Sequence, residues 1–135
     1  KALLVEDNEI NQQIACEMLK FLGVNPELAE NGKQAVDMVE HHPAGYYDLV
    51  FMDIQMPVMN GYEAAGKIRS LKKDDMRELP IIAMTADAFS EDVQRAKKAG
   101  MDGHLAKPIS IQQLKEVLAG IGRKKEIQNA MTGKE

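Results

Sequence analysis

Five residues with charged or hydroxyl side chains follow or end short apolar segments of this 135-residue chain. Glu6 and Asp7 follow the first segment, and Asp53, Thr85 and Lys107 follow three later ones. Three carboxylates in one site repel each other, and a hard divalent cation such as Mg²⁺ relieves that repulsion. Asp53 could then attack phosphorus as a nucleophile while Mg²⁺ and Lys107 neutralise phosphoryl charge. Thr85 offers a hydroxyl donor to a phosphoryl oxygen, so the pattern indicates phosphoryl transfer to an aspartate.

The apolar segments that precede these residues have the length of β-strands. Residues 2–5, 49–52 and 81–84 are continuous apolar runs without polar alternation, and residues 26–29 and 103–106 are weaker candidates. Strands that are buried on both faces have this composition, which is typical of a parallel sheet covered by helices. The carboxyl ends of parallel strands meet at one edge, where ligands of such sheets bind. The five polar side chains should therefore converge in one shallow cleft.

Helical periodicity fills the gaps between the strands, so strand and helix alternate five times. This order predicts a doubly wound α/β fold with right-handed crossovers. Gly23 and Gly100 are expected to end the first and fourth helices, and Ser110 with Gln113 forms a capping box for the fifth. The predicted core-facing stripes are Ile10, Ile14, Met18, Leu19 and Leu22; Ala35, Val36 and Val39; Tyr62, Ala65, Ile68 and Leu71; Val93, Ala96 and Ala99; and Ile111, Leu114, Val117, Leu118 and Ile121.

The bulk composition fits one globular domain, which we place at residues 1–122, followed by a polar extension or linker at 123–135. The net charge of -4 argues against direct nucleic-acid binding through a basic face. Cys16 is the only cysteine, so an internal disulfide is excluded and a reducing compartment is expected.

The ends of the chain indicate a fragment of a longer protein. The chain starts at Lys1 without an initiator methionine, directly before an apolar strand, and carries no signal-peptide pattern. No apolar run approaches the roughly 18 residues of a membrane span. We expect a cytoplasmic domain without membrane contact of its own, in a parent protein that could itself be anchored in a membrane.

Four short motifs in this order resemble the response-regulator receiver domain of two-component signalling. They are Glu6-Asp7-Asn8, the stretch Asp-Ile-Gln-Met-Pro-Val-Met-Asn-Gly at residues 53–61, Met84-Thr85-Ala86 and Lys107-Pro108. The resemblance covers residues 2–122, and the stretches at 6–12 and 53–61 are most similar to receivers of hybrid sensor histidine kinases. It implies a flavodoxin-like five-stranded parallel sheet with strand order 2-1-3-4-5.

The resemblance also implies roles for individual residues. Asp53 corresponds to the phosphoacceptor, and Glu6, Asp7, Asp53 and the backbone carbonyl of Gln55 correspond to the Mg²⁺ ligands. Thr85 corresponds to the switch hydroxyl. Lys107 corresponds to the lysine of the family's Lys-Pro motif, and the peptide bond between Lys107 and Pro108 is expected to be cis.

The resemblance further implies the partners. The phosphoryl donor would be the phosphohistidine of a histidine kinase or of a histidine phosphotransfer domain. The receiver would catalyse its own phosphorylation and slow dephosphorylation. The surface of the fourth helix, fifth strand and fifth helix would bind partners or form a dimer. One position departs from the usual pattern, because His104 stands where the family commonly has a rotating Tyr or Phe. An imidazole at that switch position could rotate as well and would add sensitivity to pH.

Three other functions compete with this interpretation. A receiver-like interaction module without phosphorylation is disfavoured by the complete set of acidic, hydroxyl and lysine residues. A haloacid-dehalogenase-type phosphatase also uses a strand-end aspartate, but it normally has a second Asp two residues later, where this chain has Gln55. A dinucleotide-binding domain is excluded because no G-x-G-x-x-G motif follows the first strand.

Overall fold

The computed structural model describes residues 1–43, 46–54, 59–71, 79–85, 91–107 and 109–132, with side chains left out at 91–93 and 122–132. Strand and helix alternate five times along the chain, as predicted. The elements are β1 (Ala2–Val5), α1 (Glu9–Phe21), β2 (Pro26–Ala29), α2 (Gly32–His41), β3 (Leu49–Asp53), α3 (Gly61–Arg69), β4 (Ile81–Thr85), α4 (Glu91–Lys98), β5 (Gly103–Ala106) and α5 (Ile111–Thr132).

The five strands form one parallel sheet in the order β2-β1-β3-β4-β5, which confirms the predicted fold. Strands β3 and β4 are each one residue longer than the apolar runs that predicted them. Asp53 pairs with Met84 and Thr85 pairs with Ala106, so both polar residues belong to the ladder itself. The backbone at each of these two residues is paired with one neighbouring strand, which holds the side chain more rigidly than a loop would.

Side chains of the sheet pack into a core on each of its two faces. On β1, Leu3 and Val5 face one core while Ala2 and Leu4 face the other, and all four are buried. The first core includes residues of α2 and α3, and the second includes residues of α1 and α5. Burial on both faces is the physical reason why the strand sequences lack polar alternation.

Helix α1 contacts the core through part of the predicted stripe, because Leu19 is buried and Met18 and Leu22 pack against the core. Ile10 is 68% exposed and Ile14 is 47% exposed, whereas Ala15 and Leu19 are buried. Residues four apart lie on the same helix face, so Ile10 and Ile14 form a second apolar stripe beside the buried one. The assignment of these two isoleucines to the core was wrong, because two overlapping stripes on one helix read as a single wide one.

The predicted helix boundaries are confirmed where the structure describes them. Gly23 and Gly100 have φ angles of 83° and 99°, a backbone conformation that favours glycine after a helix. At the start of α5 the Ser110 N–H donates to Gln113 Oε1 at 3.0 Å, and the Gln113 N–H donates to Ser110 Oγ at 3.2 Å. These two bonds form the predicted capping box.

Helix α5 continues through the predicted domain boundary at residue 122 as far as Thr132. The backbone of the predicted extension is therefore helical over residues 123–132, and the boundary itself stays a prediction. Among the helices that the structure describes, none combines the length and the apolar character needed to cross a bilayer.

Candidate functional site

The polar residues predicted to share a cleft lie at the carboxyl edge of the sheet. Val5 pairs with Met52, which brings Glu6 beside Asp53, and Thr85 ends the neighbouring strand β4. Glu6, Asp53 and Thr85 are 2%, 4% and 4% exposed, and they are the buried polar or charged residues of the described part of the chain. Buried polar groups are costly unless they are paired, so their concentration here marks this edge as a site.

Three carboxylates form a compact cluster at this edge. Oxygen atoms of Glu6, Asp7 and Asp53 all lie within 4.8 Å of one another. Glu6 and Asp53 are buried while Asp7 is exposed, so the cluster opens to solvent on the Asp7 side. The predicted convergence of these three residues is observed. The fourth predicted ligand, Gln55, lies outside the described residues.

Lys107 contacts two of the three carboxylates. Its Nζ donates to Asp53 Oδ2 at 2.9 Å and lies 3.3 Å from Glu6 Oε2. The backbone N–H of Lys107 donates to the Thr85 carbonyl at 2.8 Å, which anchors the start of the loop after β5. Pro108 lies outside the described residues, so the expected cis bond is not observed. The lysine is held at both its backbone and its ammonium group.

The acidic cluster carries more negative charge than Lys107 can neutralise. Burial raises the pKa of Glu6, and the negative charge of Asp53 raises it further, while Lys107 opposes this shift. Burial lowers the pKa of Lys107, but its hydrogen bond with Asp53 and the attraction of both carboxylates outweigh that effect and raise it. With all groups ionised, three carboxylates and one ammonium leave two negative charges. A divalent cation would neutralise them.

Gly61 allows the chain after β3 to pack against the site. A Cβ at Gly61 would lie 2.5 Å from the Asp53 carbonyl oxygen, closer than real side chains approach. The Gly61 N–H donates to the Ile54 carbonyl at 2.9 Å, and Asn60 caps α3 by accepting from the Glu63 N–H. The glycine that ends the second sequence motif therefore lets α3 begin in contact with the Asp53 backbone.

Three residues of the stretch 6–12, Asn8, Asn11 and Gln12, contact Glu6 and were not assigned a role from sequence. The Asn8 N–H donates to Glu6 Oε1 at 3.3 Å, and Asn11 Nδ2 lies 3.5 Å from the same oxygen. Gln12 Nε2 donates to the backbone carbonyl of Glu6 at 2.6 Å. The sequence pointed to these three positions only through the family resemblance of residues 6–12. That resemblance did not say what the three side chains contact.

His104 lies on β5, at the edge of the sheet, where it pairs with Ala83 of β4. Its side chain is exposed, whereas Leu105 next to it is buried. The imidazole therefore lies on the solvent-exposed side of β5 in this structure. Its role as a switch stays a prediction.

A small groove lies between the site and helix α1. Its volume is about 100 Å³, and its polar lining residues are Glu6, Asn11 and Lys107. Ile14 and Ile109 contribute to its apolar lining. Exposed Ile14 of α1 thus borders the same groove as Glu6 of the acidic cluster.

The sequence matches a family model described as "Response regulator receiver domain" over residues 2–119. It is 38% identical over 120 residues to the peroxide stress-activated histidine kinase mak1 of Schizosaccharomyces pombe, covering 88% of this chain and 7% of that protein. It is 42% identical over 130 residues to probable histidine kinase 2 of Oryza sativa subsp. japonica, covering 88% of this chain and 12% of that protein. The chain spans only a small part of the length of these relatives.

Solved structures show the same similarity. The receiver domain of sensor histidine kinase PA1611 from Pseudomonas aeruginosa PAO1, which has a magnesium ion coordinated in its active site cleft, superposes with a TM-score of 0.79 at 40% identity. The alignment covers 90% of this chain and 96% of that one. A chain of the Saccharomyces cerevisiae co-crystal structure of histidine phosphotransfer protein Ypd1 with the receiver domain of Ssk1 gives a TM-score of 0.80 at 31% identity, covering 92% and 89%.

Proposed function

Because this chain belongs to the response regulator receiver domain family, we propose that it accepts a phosphoryl group on Asp53 from a phosphohistidine and relays a two-component signal. The observation that carries the proposal is the surroundings of Asp53. Its carboxylate lies 2.9 Å from the Lys107 ammonium and within 4.8 Å of carboxylate oxygens of Glu6 and Asp7. This is a nucleophile beside both a fixed cation and a set of oxygen ligands for a metal.

In the proposed reaction an Asp53 carboxylate oxygen bonds to phosphorus as the phosphorus–nitrogen bond to the donor histidine breaks. The imidazole leaves with the electron pair of that bond, and Asp53 becomes an acyl phosphate. The Lys107 ammonium stabilises charge on the phosphoryl oxygens during transfer, and the Thr85 hydroxyl donates to one of them afterwards. The same site would also hydrolyse the acyl phosphate slowly.

The residues at this site fit Mg²⁺. They supply hard oxygen donors, the cluster carries excess negative charge, and exposed Asp7 leaves room for water ligands. We propose Glu6, Asp7, Asp53 and the backbone carbonyl of Gln55 as the residues that hold the ion. When bound, Mg²⁺ supplies positive charge that stabilises the phosphoryl group in transfer.

Replacing Asp7 with Asn tests the metal site through stability. The change removes one charge at nearly constant shape, and unit charges about 4–5 Å apart repel by about 1 kcal/mol in water. Without metal, we expect the variant to be more stable than wild type by up to about 1 kcal/mol. Wild type should gain about 1.4 kcal/mol from Mg²⁺ at ten times its dissociation constant, and the variant much less.

The measurement is urea unfolding of both proteins with EDTA and with millimolar Mg²⁺. Asp37→Asn on the exposed face of α2 is the matched control, because it removes the same charge away from the cluster. If Mg²⁺ stabilises wild type and Asp7→Asn equally, Asp7 is not part of a metal site.

We further propose that the phosphoryl donor is a histidine phosphotransfer domain or kinase that docks beside α1. A donor histidine must reach Asp53, which is 4% exposed, so its protein must cover this edge of the sheet. Exposed Ile14 borders the groove that Glu6 and Lys107 line, and exposed Ile10 lies one turn earlier on α1, which gives the donor an apolar contact next to the acceptor. The relative seen with Ypd1 supports this class of partner.

Labelled phosphoryl transfer from a phosphorylated histidine phosphotransfer protein tests both the function and the docking surface. We expect wild type to take up the label with Mg²⁺ and to lose this ability with EDTA. Ile14→Ser should slow transfer from the protein donor about tenfold, the effect of losing about 1.4 kcal/mol of contact energy. It should leave phosphorylation by acetyl phosphate unchanged, because a small donor needs no docking.

Phe21→Ser is the matched control, since Phe21 is 68% exposed on the same helix but lies at its opposite end. Absence of label on wild type would contradict the function. Equal transfer to Ile14→Ser and wild type would contradict only the docking surface.

We also propose that the surface formed by α4, β5 and α5 passes the signal onward, either to a partner or to a second copy in a dimer. His104 on the outer strand β5 is exposed there, and Thr85 at the phosphoryl site belongs to the adjacent strand β4. The net charge of -4 supports partners other than nucleic acid. The chain would act in the cytoplasm as one domain of a longer signalling protein.

A further inference from the structure

The first backbone carbonyl beyond strand β1, that of Glu6, accepts a hydrogen bond from a side chain. Pairing of β1 with both neighbouring strands ends at Val5, and the Glu6 N–H still donates to the Ala29 carbonyl at 3.0 Å. The Glu6 carbonyl accepts a 2.6 Å hydrogen bond from the side-chain amide of Gln12. The Gln12 side chain of α1 therefore holds the backbone at Glu6, where pairing with the neighbouring strands has ended.

This carbonyl belongs to the peptide group that joins Glu6 to Asp7. A peptide group is planar, so fixing its oxygen fixes the rotation of the whole unit between the two Cα atoms. The directions in which both acidic side chains leave the backbone depend on that rotation. The Gln12 amide thus acts on two members of the carboxylate cluster at once.

Gln12 is itself held firmly. Its N–H donates to the Asn8 carbonyl at 2.9 Å as part of α1, and the Asn8 side chain caps the helix by accepting from the Asn11 N–H at 3.0 Å. The Asn8 N–H also donates to the Glu6 carboxylate. The first turn of α1 is therefore tied to Glu6 at its side chain and, through Gln12, at its main chain.

We infer that Gln12 is a positioning residue that sets the Glu6–Asp7 peptide for metal binding. The inference rests on the proposed function, because it concerns the metal site of the phosphoacceptor cleft. Groups that orient metal ligands without touching the metal commonly change metal affinity 10–100-fold when they are replaced. Replacing Gln12 would remove one hydrogen-bond donor to the Glu6 carbonyl oxygen.

Gln12→Met removes the donor at similar length and helix propensity, and Gln12→Glu replaces it with a carboxylate that cannot donate. Gln13→Met is the matched control, since Gln13 is the adjacent exposed residue of the same helix. The magnesium dissociation constant is measured from amide chemical shifts of Asp7 and Asn8 during titration of the full 135-residue chain with MgCl₂. Urea unfolding with EDTA establishes that each variant is folded.

We expect the dissociation constant to rise about tenfold in Gln12→Met and at least as much in Gln12→Glu, with Gln13→Met unchanged. At saturating Mg²⁺, phosphorylation by acetyl phosphate should return to near the wild-type rate in Gln12→Met. If both Gln12 variants bind Mg²⁺ like wild type, the inference is wrong while the proposed function stands. If wild type itself binds no Mg²⁺, both are wrong.

Discussion

Asp53→Asn is expected to abolish phosphoryl uptake, with a loss of at least about 10³-fold, equivalent to about 4 kcal/mol in the barrier. The substitution keeps the size of the side chain and removes the negative charge that makes the carboxylate a nucleophile. It also replaces the charged group that the Lys107 ammonium contacts at 2.9 Å with a neutral amide. The loss should be the same for small phosphodonors and for a protein donor, because both need the same attacking oxygen.

The measurement is the rate of label incorporation from acetyl phosphate and from a phosphorylated histidine phosphotransfer protein, both with Mg²⁺. Asp37→Asn is again the control, because Asp37 is exposed on α2 away from the cluster. Incorporation into Asp53→Asn at the wild-type rate would remove Asp53 from the reaction. Normal folding of the variant is checked by urea unfolding.

Lys107→Ala is expected to slow phosphorylation about 10–100-fold, or roughly 1.4–2.7 kcal/mol in the barrier. The Lys107 ammonium contacts Asp53 and lies 3.3 Å from Glu6, so it is placed to pair with phosphoryl oxygens during transfer. The change also leaves two buried carboxylates without their cation, so we expect Mg²⁺ to stabilise the variant more than wild type.

The same variant should lose the conformational response. With a beryllofluoride mimic, we expect the amide signals of Thr85 and His104 to shift in wild type and to shift much less in Lys107→Ala. Lys115→Ala is the control, since Lys115 is exposed on α5. A full wild-type shift pattern in Lys107→Ala would make Lys107 an ordinary surface residue.

Most of the fold followed from the sequence because the three central strands, β1, β3 and β4, are buried on both faces. Their apolar runs stand out from the amphipathic helices, and glycines such as Gly23 mark helix ends by backbone conformation alone. The apolar runs end one residue before β3 and β4 do, because Asp53 and Thr85 are polar but still pair with the neighbouring strand. Polar residues at strand ends look like loop residues when only hydrophobicity is considered.

The convergence of the site was predictable because parallel strands bring their carboxyl ends to one edge. The contacts around it were not, since the 2.6 Å bond from Gln12 to the Glu6 carbonyl depends on a helical side chain reaching backbone of the preceding loop. Ile10 and Ile14 were misassigned for a related reason. Hydrophobic periodicity does not separate an apolar stripe that faces the core from one that stays exposed.

The central claim is that Asp53 is the residue that takes the phosphoryl group. The most direct measurement is to phosphorylate the chain with a small phosphodonor and Mg²⁺, trap the acyl phosphate with borohydride, and locate the modified residue by mass spectrometry of peptides. We predict a single modification, the reduced form of Asp53. Modification at another residue, with the peptide that contains Asp53 unchanged, would contradict the account.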